Sequence, residues 1–296
     1  MFASFQNSRW KSLTLITFIY CLSGFIGIYS YILLTTSLQP WLNILISDTI
    51  STIIVFIFSV IFSNASIYDP YWSVQPLVIL FCFAINQQIS FLNALLLLSI
   101  FTWGIRLTGN WIYTFYGMGY QDWRYIMLKE QTGVFYPFIN FIGIHMVPTL
   151  VVYACTLPGV YSLQNEFKFN IFSFICLILS FGAIALEGIA DLQMHKFQRN
   201  RKGRVFIRDG LWKHSRHPNY LGEISFWWCI GLSAYFYEYN WLCLIGAGLN
   251  TILFLVVSIP LADGKQSKKK GFEEYKKETW RLLLFPKFCV NKNKVN

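Results

Sequence analysis

Residues 210–223 read Gly-Leu-Trp-Lys-His-Ser-Arg-His-Pro-Asn-Tyr-Leu-Gly-Glu, and they place cations, two imidazoles, an amide, a phenol and a carboxylate beside an apolar run, Ile224 to Ala234. A bilayer penalises such groups, so their position there needs a reason. Lys213 and Arg216 alone would suit a basic loop that orients a membrane protein. Asn219 and Glu223 are not explained that way. They lie four apart and share one helix face where the apolar run begins. A second polar series, Glu187, Asp191, His195 and Arg199, also recurs every four positions, and on a continuous helix it forms one polar stripe. Arg106 and Asn110 repeat the spacing inside another apolar run, one turn beyond Trp103. Together these groups suit a polar vestibule with an apolar membrane side, where cations bind phosphates, aromatic rings flank a planar group, and a lipophilic substrate enters from the lipid.

The elements that must position these groups are membrane helices. The chain is 55% hydrophobic and 13% charged, against about 25% charged in soluble domains. We expect an all-α, polytopic membrane helix bundle with about seven or eight transmembrane helices. It should form a single integral membrane domain over residues 1–296, with N-terminal spans in 13–113 and a cofactor-binding half in 138–286. The expected spans are 13–38, 44–63, 74–88, 91–113, 138–157, 170–194, 220–236 and 240–260, each judged against the ~20 apolar residues a span needs. The third is short and contains Pro76. With eight spans, all of the 24 Lys and Arg except Arg106 and Lys168 fall on one side. The positive-inside rule then puts both termini and the polar vestibule on the cytosolic face. The same rule accounts for the net charge of +10, so no nucleic-acid partner is expected. The membrane itself, endoplasmic reticulum or another, is left open, as is the oligomeric state.

Several chemistries find no support. No Walker loop, HExxH or strand-bound GxGxxG occurs. His214 and His217 lack a further ligand at metal spacing, so no metal is expected. The seven cysteines show no disulfide or zinc spacing; six fall in apolar runs and Cys289 sits in the tail. His145 reads as a hydrogen-bonded core histidine. The loop 116–136 reads as a connector. The Lys-rich segment 265–285 reads either as an amphipathic helix on anionic lipid or as a cover folded over the site.

Ser215-Arg216-His217-Pro218-Asn219-Tyr220-Leu221-Gly222-Glu223, followed by Trp227-Trp228, resembles the DUF1295 family of the steroid 5-alpha-reductase superfamily. Four further pieces agree in order: Asp69-Pro70-Tyr71-Trp72-Ser73, Trp103-Gly104-Ile105-Arg106-Leu107 with Asn110, Asp122-Trp123-Arg124-Tyr125, and Ala190-Asp191-Leu192-Gln193 with Phe197. The resemblance runs from about Asp69 to Pro286. It implies a helical bundle that holds NADPH in a cytosol-facing cavity and reduces a carbon–carbon double bond conjugated to a carbonyl in a sterol-like or other lipid. By resemblance, Asn219, Tyr220 and Glu223 would meet the nicotinamide end. Arg106, Asp191, Arg199 and Arg216 would hold ribose and phosphates, with Asn110, His195 and His217 completing the cofactor site. Characterised steroid reductases grip the ketone with a Glu and a Tyr on neighbouring helices. Alignment puts Asp69 near the Glu and Trp103 where the Tyr would stand, so the expected catalytic residues are Asp69, Trp103 and Tyr71, with Tyr113 an alternative phenol. A second departure is Pro260-Leu261-Ala262-Asp263-Gly264-Lys265, where relatives carry an acidic pair and Arg. Two other functions compete. Membrane S-adenosylmethionine-dependent methyltransferases share R-H-P-x-Y-x-G but follow it with a later Glu pair absent here. A non-catalytic membrane lipid binder is the other.

Overall fold

The computed structural model describes residues 8–35, 37–85, 87–165, 168–201, 203 and 205–285. Cys289 and the basic tail 292–296 lie outside them. Every regular element among the described residues is helical, as the hydropathy pattern requires. Two compact units divide the chain, residues 1–169 and 170–296.

The first unit contains α1 (Arg9–Leu34), α2 (Pro40–Ile61), α3 (Tyr71–Ala84), α4 (Phe91–Thr114), α5 (Trp123–Thr132) and α6 (Val147–Gln164). A 3₁₀ turn, Ala65–Tyr68, joins α2 to α3, and a π-helical stretch, Asn140–Met146, runs into α6. Pro40 starts α2 where its missing N–H costs nothing. Ser90 caps α4 by accepting from the Asn93 N–H, and Asp122 caps α5 by accepting from Arg124 N. Helices α1 and α2 approach closely at Gly27, where a Cβ would fall 2.1 Å from Ser51 Oγ, and Ser51 Oγ donates to Ser23 O at 3.0 Å. Small residues and hydroxyls serve here as packing does in membranes generally. The loop before α5 is pinned to the 3₁₀ turn: Asn64 Nδ2 donates to the carbonyls of Met118 and Tyr120, and Asp122 N donates to Ser66 Oγ. So the stretch 116–136, expected as a connector, holds a helix and a docked loop.

The second unit contains α7 (Ile171–Arg199), α8 (Pro218–Glu238), α9 (Ile245–Leu253), α10 (Ile259–Ser267) and α11 (Phe272–Glu278). The stretch Phe254–Ser258 between α9 and α10 is π-helical. Asn170 caps α7 by accepting from the N–H groups of Phe172 and Ser173. Helices α7 and α8 run antiparallel, with Ser173 Oγ donating to Ser233 O at one end and Glu187 packed on Gly222 at the other. A Cβ at Gly222 would sit 2.7 Å from Glu187 Cβ and 2.9 Å from Ala183 O. Helix α11 turns its apolar face inward: Phe272 and Tyr275 are buried, and Phe206 packs on both rings at 5.3 Å. The Lys-rich segment folds back on the chain, because these two aromatic residues find a protein surface to cover.

Six helical segments among the described residues are long and apolar enough to cross a membrane: α1, α2, α4, the run Trp123–Gln164, α7, and Trp241–Ser267. Two expected spans are not among them. Helix α3 has 14 residues, about 21 Å at 1.5 Å per residue, short of a ~30 Å hydrocarbon core. Helix α8 is long enough at 21 residues, but it opens on the polar motif. The all-α, polytopic class stands.

Gly222→Val should lower stability by about 1–3 kcal/mol, because the helices must part to admit the side chain. Thermal unfolding in detergent tests this, with Gly248→Ala as control, since a Cβ there meets nothing within 4 Å.

Candidate active site: a pocket with one polar wall and a polar motif

The first unit has an open-sided pocket of about 520 Å³, lined mainly by α1, α2 and α3. Its walls are mostly apolar, with Ile28, Ile44, Val78 and Phe83 among them. One wall is polar. Asp48 of α2 is 5% exposed and accepts from the Tyr71 hydroxyl at 3.2 Å and from Gln75 Nε2. Tyr71 and Gln75 are themselves buried, one turn apart on α3, so a single helix face presents both donors to one carboxylate. Gln75 Oε1 has no hydrogen-bond partner. Behind Tyr71 the hydrogen bonding continues through Thr52 to Thr149, whose hydroxyls lie 3.1 Å apart, and on to Tyr68 at 2.8 Å. A buried carboxylate between helices costs several kcal/mol unless such donors surround it.

Among the expected catalytic residues, only Tyr71 lines this cavity. Asp69 caps the 3₁₀ turn and accepts from Tyr125 OH at 2.5 Å, beside the Asp122–Arg124 ion pair. Trp103 is fully buried, with its ring 6.0 Å from Trp72. The two elements that carry them do meet: Ser73 Oγ lies 2.8 Å from Thr108 Oγ1, and Gly104 is pressed against Ser73 O and Leu77. Arg106 and Asn110 continue α4 one and two turns past Trp103, both partly buried. His145 is a core histidine as expected, fully buried, with Nδ1 2.9 Å from Asn140 O. Sequence reasoning misses Asp48 and Gln75. The available signal is an acid inside an otherwise apolar span, which by itself marks a functional candidate.

In the second unit the chemistry-bearing motif is held from three sides. Gly210, at φ 61°, lies against the Gln193 side chain, whose Oε1 accepts from Leu211 N at 2.9 Å, and Trp212 Nε1 donates to Ala190 O at 3.1 Å. The Ala190–Gln193 element of α7 therefore serves to dock the turn before the motif. Ser215 and Trp280 form a parallel bridge: Arg216 N donates to Trp280 O at 2.9 Å and Trp280 N to His214 O at 3.0 Å. Tyr275 OH donates to Trp212 O. Asp263 of α10 accepts from Arg216 Nη2 at 3.3 Å and contacts His217 Nε2 at 3.0 Å, while Arg216 Nη1 donates to the carbonyls of Lys276 and Thr279. Most of the Arg216 guanidinium is thus committed to holding the C-terminal segment, and Asp263 anchors it.

Past this clasp the motif enters α8. The His217 ring stacks on Tyr220 at 5.1 Å, and Tyr220 packs on Phe254 at 4.8 Å. Glu223 is 2% exposed and accepts from Trp227 Nε1 at 2.8 Å. Asn219 Oδ1 is buried with no hydrogen-bond partner. Gly222 lies against α7, Trp228 meets α9, and Tyr220 meets the π-helical stretch that follows α9, so helical geometry sets Asn219 and Glu223 between these contacts. On α7 the expected stripe lies on one continuous helix: Glu187 is buried, Asp191 and His195 are partly buried, and Arg199 is exposed. In the second unit Asn219 and Glu223 thus lie along α8 on either side of Gly222 in sequence, Tyr220 lies against Phe254, and Asp191, His195 and Arg199 follow Glu187 along α7.

The family profile described as "Protein of unknown function (DUF1295)" matches residues 55–279. The chain belongs to the DUF1295 family. An uncharacterized protein of Schizosaccharomyces pombe is 27% identical over 192 residues, which cover 55% of this chain and 56% of that protein. The chain thus matches only about half the length of that relative. No solved structure matches it.

Burial pushes the Asp69 carboxyl up to about 6, against the Arg124 charge and the Tyr125 hydrogen bond, which pull it down. The folded chain therefore holds this proton more tightly than the unfolded one. That contribution is fully present below about pH 4 and is lost as pH rises through 6, with an upper magnitude of about 3 kcal/mol. The unfolding temperature of wild type should fall across this window, and Asp69→Asn should flatten that slope.

Proposed function

We propose that this protein is a membrane reductase that uses NADPH to reduce a carbon–carbon double bond conjugated to a carbonyl in a lipophilic substrate. The observation that carries the reading is the Asp48–Tyr71–Gln75 cluster at the polar wall of an apolar cavity. A carboxyl and a phenol on neighbouring helices are the pair with which steroid reductases hold a ketone. Alignment puts that pair at Asp69 and Trp103; the cavity supports Asp48 and Tyr71 instead.

A lipid whose carbonyl reached this wall would meet the Tyr71 hydroxyl. Turning from Asp48 to the carbonyl oxygen, that hydroxyl stabilises the enolate that develops during reduction. Gln75 keeps hold of Asp48 meanwhile, so the carboxylate stays in place to accept from the Tyr71 hydroxyl again, which keeps its proton throughout. NADPH, when bound, would supply the hydride for the β-carbon, and a proton from water would complete the reduction at the α-carbon. The second unit offers groups suited to the nucleotide. Asn219 Oδ1 is buried without a partner, Glu223 and Asp191 are acceptors for ribose or amide hydrogens, and the Tyr220 ring offers a flat face. His195 and Arg199 extend α7 toward the basic loop, where phosphates would be neutralised. The clustering of Lys and Arg on that side supports a site open to the cytosol.

Purified protein should be stabilised thermally by NADPH and not by S-adenosylmethionine, since a bound ligand shifts apparent stability by mass action. The opposite preference would replace the reductase with a methyltransferase, and a response to neither would leave a lipid binder. With a hydrophobic α,β-unsaturated ketone as probe, Tyr71→Phe should slow turnover by about 10²–10⁴-fold while leaving the NADPH-induced shift intact. Glu223→Gln should do the reverse, weakening the NADPH shift while keeping an acceptor for Trp227.

A further inference from the structure

The pocket beside Asp48 occupies one end of the helices that line it. On α1 the lining runs from Tyr20 to Ile32, and on α2 from Ile44 to Ser51. These are the later part of α1 and the earlier part of α2. Helix α3 contributes from Tyr71 onward, and the lining continues past its last residue to Ile85 and Gln87. Gln164, the last residue of α6, joins them there. Asp48 lies about 12 Å along α2 from Pro40, at ~1.5 Å per residue. The pocket therefore runs from a buried polar wall inside the bundle to the end where α1 and α3 finish and α2 begins. Gln87 and Gln164 are exposed at that end.

Charge assigns this end to one face of the membrane. Arg9 and Lys11 start α1, and Arg124 and Lys129 belong to α5, all at the opposite end of these helices. Lys168, which follows α6, is the one cation of residues 1–169 at the pocket end. The positive-inside rule then places the mouth of the pocket on the non-cytosolic face. The mouth also has a definite chemistry. None of the described lining residues is Lys, Arg or His. Two primary amides, Gln87 and Gln164, offer donors and acceptors without charge. A phosphate head would find no counter-charge here, whereas a sugar, hydroxyl or amide head would find both kinds of hydrogen-bond partner. Ile28, Ile32, Ile79 and Phe83 supply apolar wall between mouth and deep end.

We propose that the pocket is loaded from the non-cytosolic leaflet by a neutral amphiphile. Its uncharged head rests on Gln87 and Gln164, and its body lies along the apolar wall toward Asp48. The inference rests on the reductase reading for the carbonyl at the deep end; the leaflet and the headgroup are added to it. Helix α3 rises about 20 Å from Tyr71 to Ala84. A lipid that touches both ends therefore carries its carbonyl and its head roughly 15–20 Å apart. The head stays at the interface, where leaving water costs it least, and only the apolar body and the carbonyl enter the bundle.

The experiment uses three synthetic α,β-unsaturated ketones of this length, ending in a glucosyl head, a phosphate head or a methyl group. Full-length protein sits in sealed liposomes in both orientations, and protease removal of an N-terminal tag reports which way each molecule faces. Binding is read as protection of Cys82, a partly buried thiol of the pocket wall, from N-ethylmaleimide, by mass spectrometry of its peptide. The glucosyl probe, added outside, should protect Cys82 in molecules whose tag is enclosed and not in those whose tag is cleaved. Gln87→Leu with Gln164→Leu should need on the order of tenfold more glucosyl probe, with the methyl-ended probe unchanged. Each single variant gives a smaller shift of the same sign if the pair does not fold. The phosphate-headed probe should bind wild type more weakly than the glucosyl one. Protection in the cleaved molecules, equal protection in both, no effect of the substitutions, or a preference for phosphate overturns the inference, as does no protection by any probe. NADPH-dependent loss of the enone is followed in parallel. Sided protection without such loss overturns the reductase reading and leaves the leaflet and headgroup standing, whereas loss of the enone with protection from the wrong face does the reverse.

Discussion

Within residues 170–296 the close approach of α7 and α8 at Gly222 governs the arrangement of the polar groups. With no side chain at that position, the backbone of α8 comes to rest against Ala183 O and the Glu187 backbone. This fixes which faces of α8 are spent on packing. The residues left between the packed faces are Asn219 and Glu223, so the same glycine that sets the helix spacing also aims the amide and the carboxylate. Ser173 and Ser233 hold the far end of the pair. The motif's own sequence thus contains both its chemistry and the packing residue that orients it.

The approach into α8 is set by hydrogen bonds rather than by apolar packing alone. Pro218 starts the helix, and the residues just before it have no helical partners. Their backbone groups are taken by the C-terminal segment, through the Ser215–Trp280 bridge and the Arg216 and Trp280 amides. Asp263 then draws Arg216 and His217 together. A single carboxylate between two groups of the motif fixes the orientation of the His217 ring, and His217 in turn stacks on Tyr220. The Lys-rich segment is part of the motif's support, which its composition alone does not show.

In residues 1–169 the comparable constraint is the buried carboxylate of Asp48. A low-dielectric interior makes such a group costly unless donors are aimed at it. Tyr71 and Gln75 meet that need from α3, and the shortness of α3 is consistent with its role: 14 residues carry the donors without having to cross a full bilayer. Pairing across helices also explains what is hard to read from the chain. Six of the eight expected spans, the all-helical class and the order of the family motifs follow from local composition and spacing, and these are legible. The Asp48–Tyr71 pair joins residues 23 positions apart on different helices, and no local period records that. Trp103 is the converse case. Aligned to a catalytic position, it is a fully buried ring packed on Trp72, because a large aromatic residue three positions before Arg106 on α4 falls on the helix face turned toward α3.

Hydropathy hides single polar residues within spans, and the chain's most informative groups are of that kind. Asp48 and Gln75 each sit in a helix whose average character is apolar, and each is nearly inaccessible. Averaging over a window is the right way to find a span and the wrong way to find a site, since one amide among twenty apolar residues scarcely moves the mean. Burial cost supplies the missing weight. Asp48 is matched by two donors from α3, so its presence is accounted for within the fold. Gln75 Oε1 is not matched, and a polar atom left unmatched in an apolar helix is the kind of expense that folding removes unless a ligand uses it.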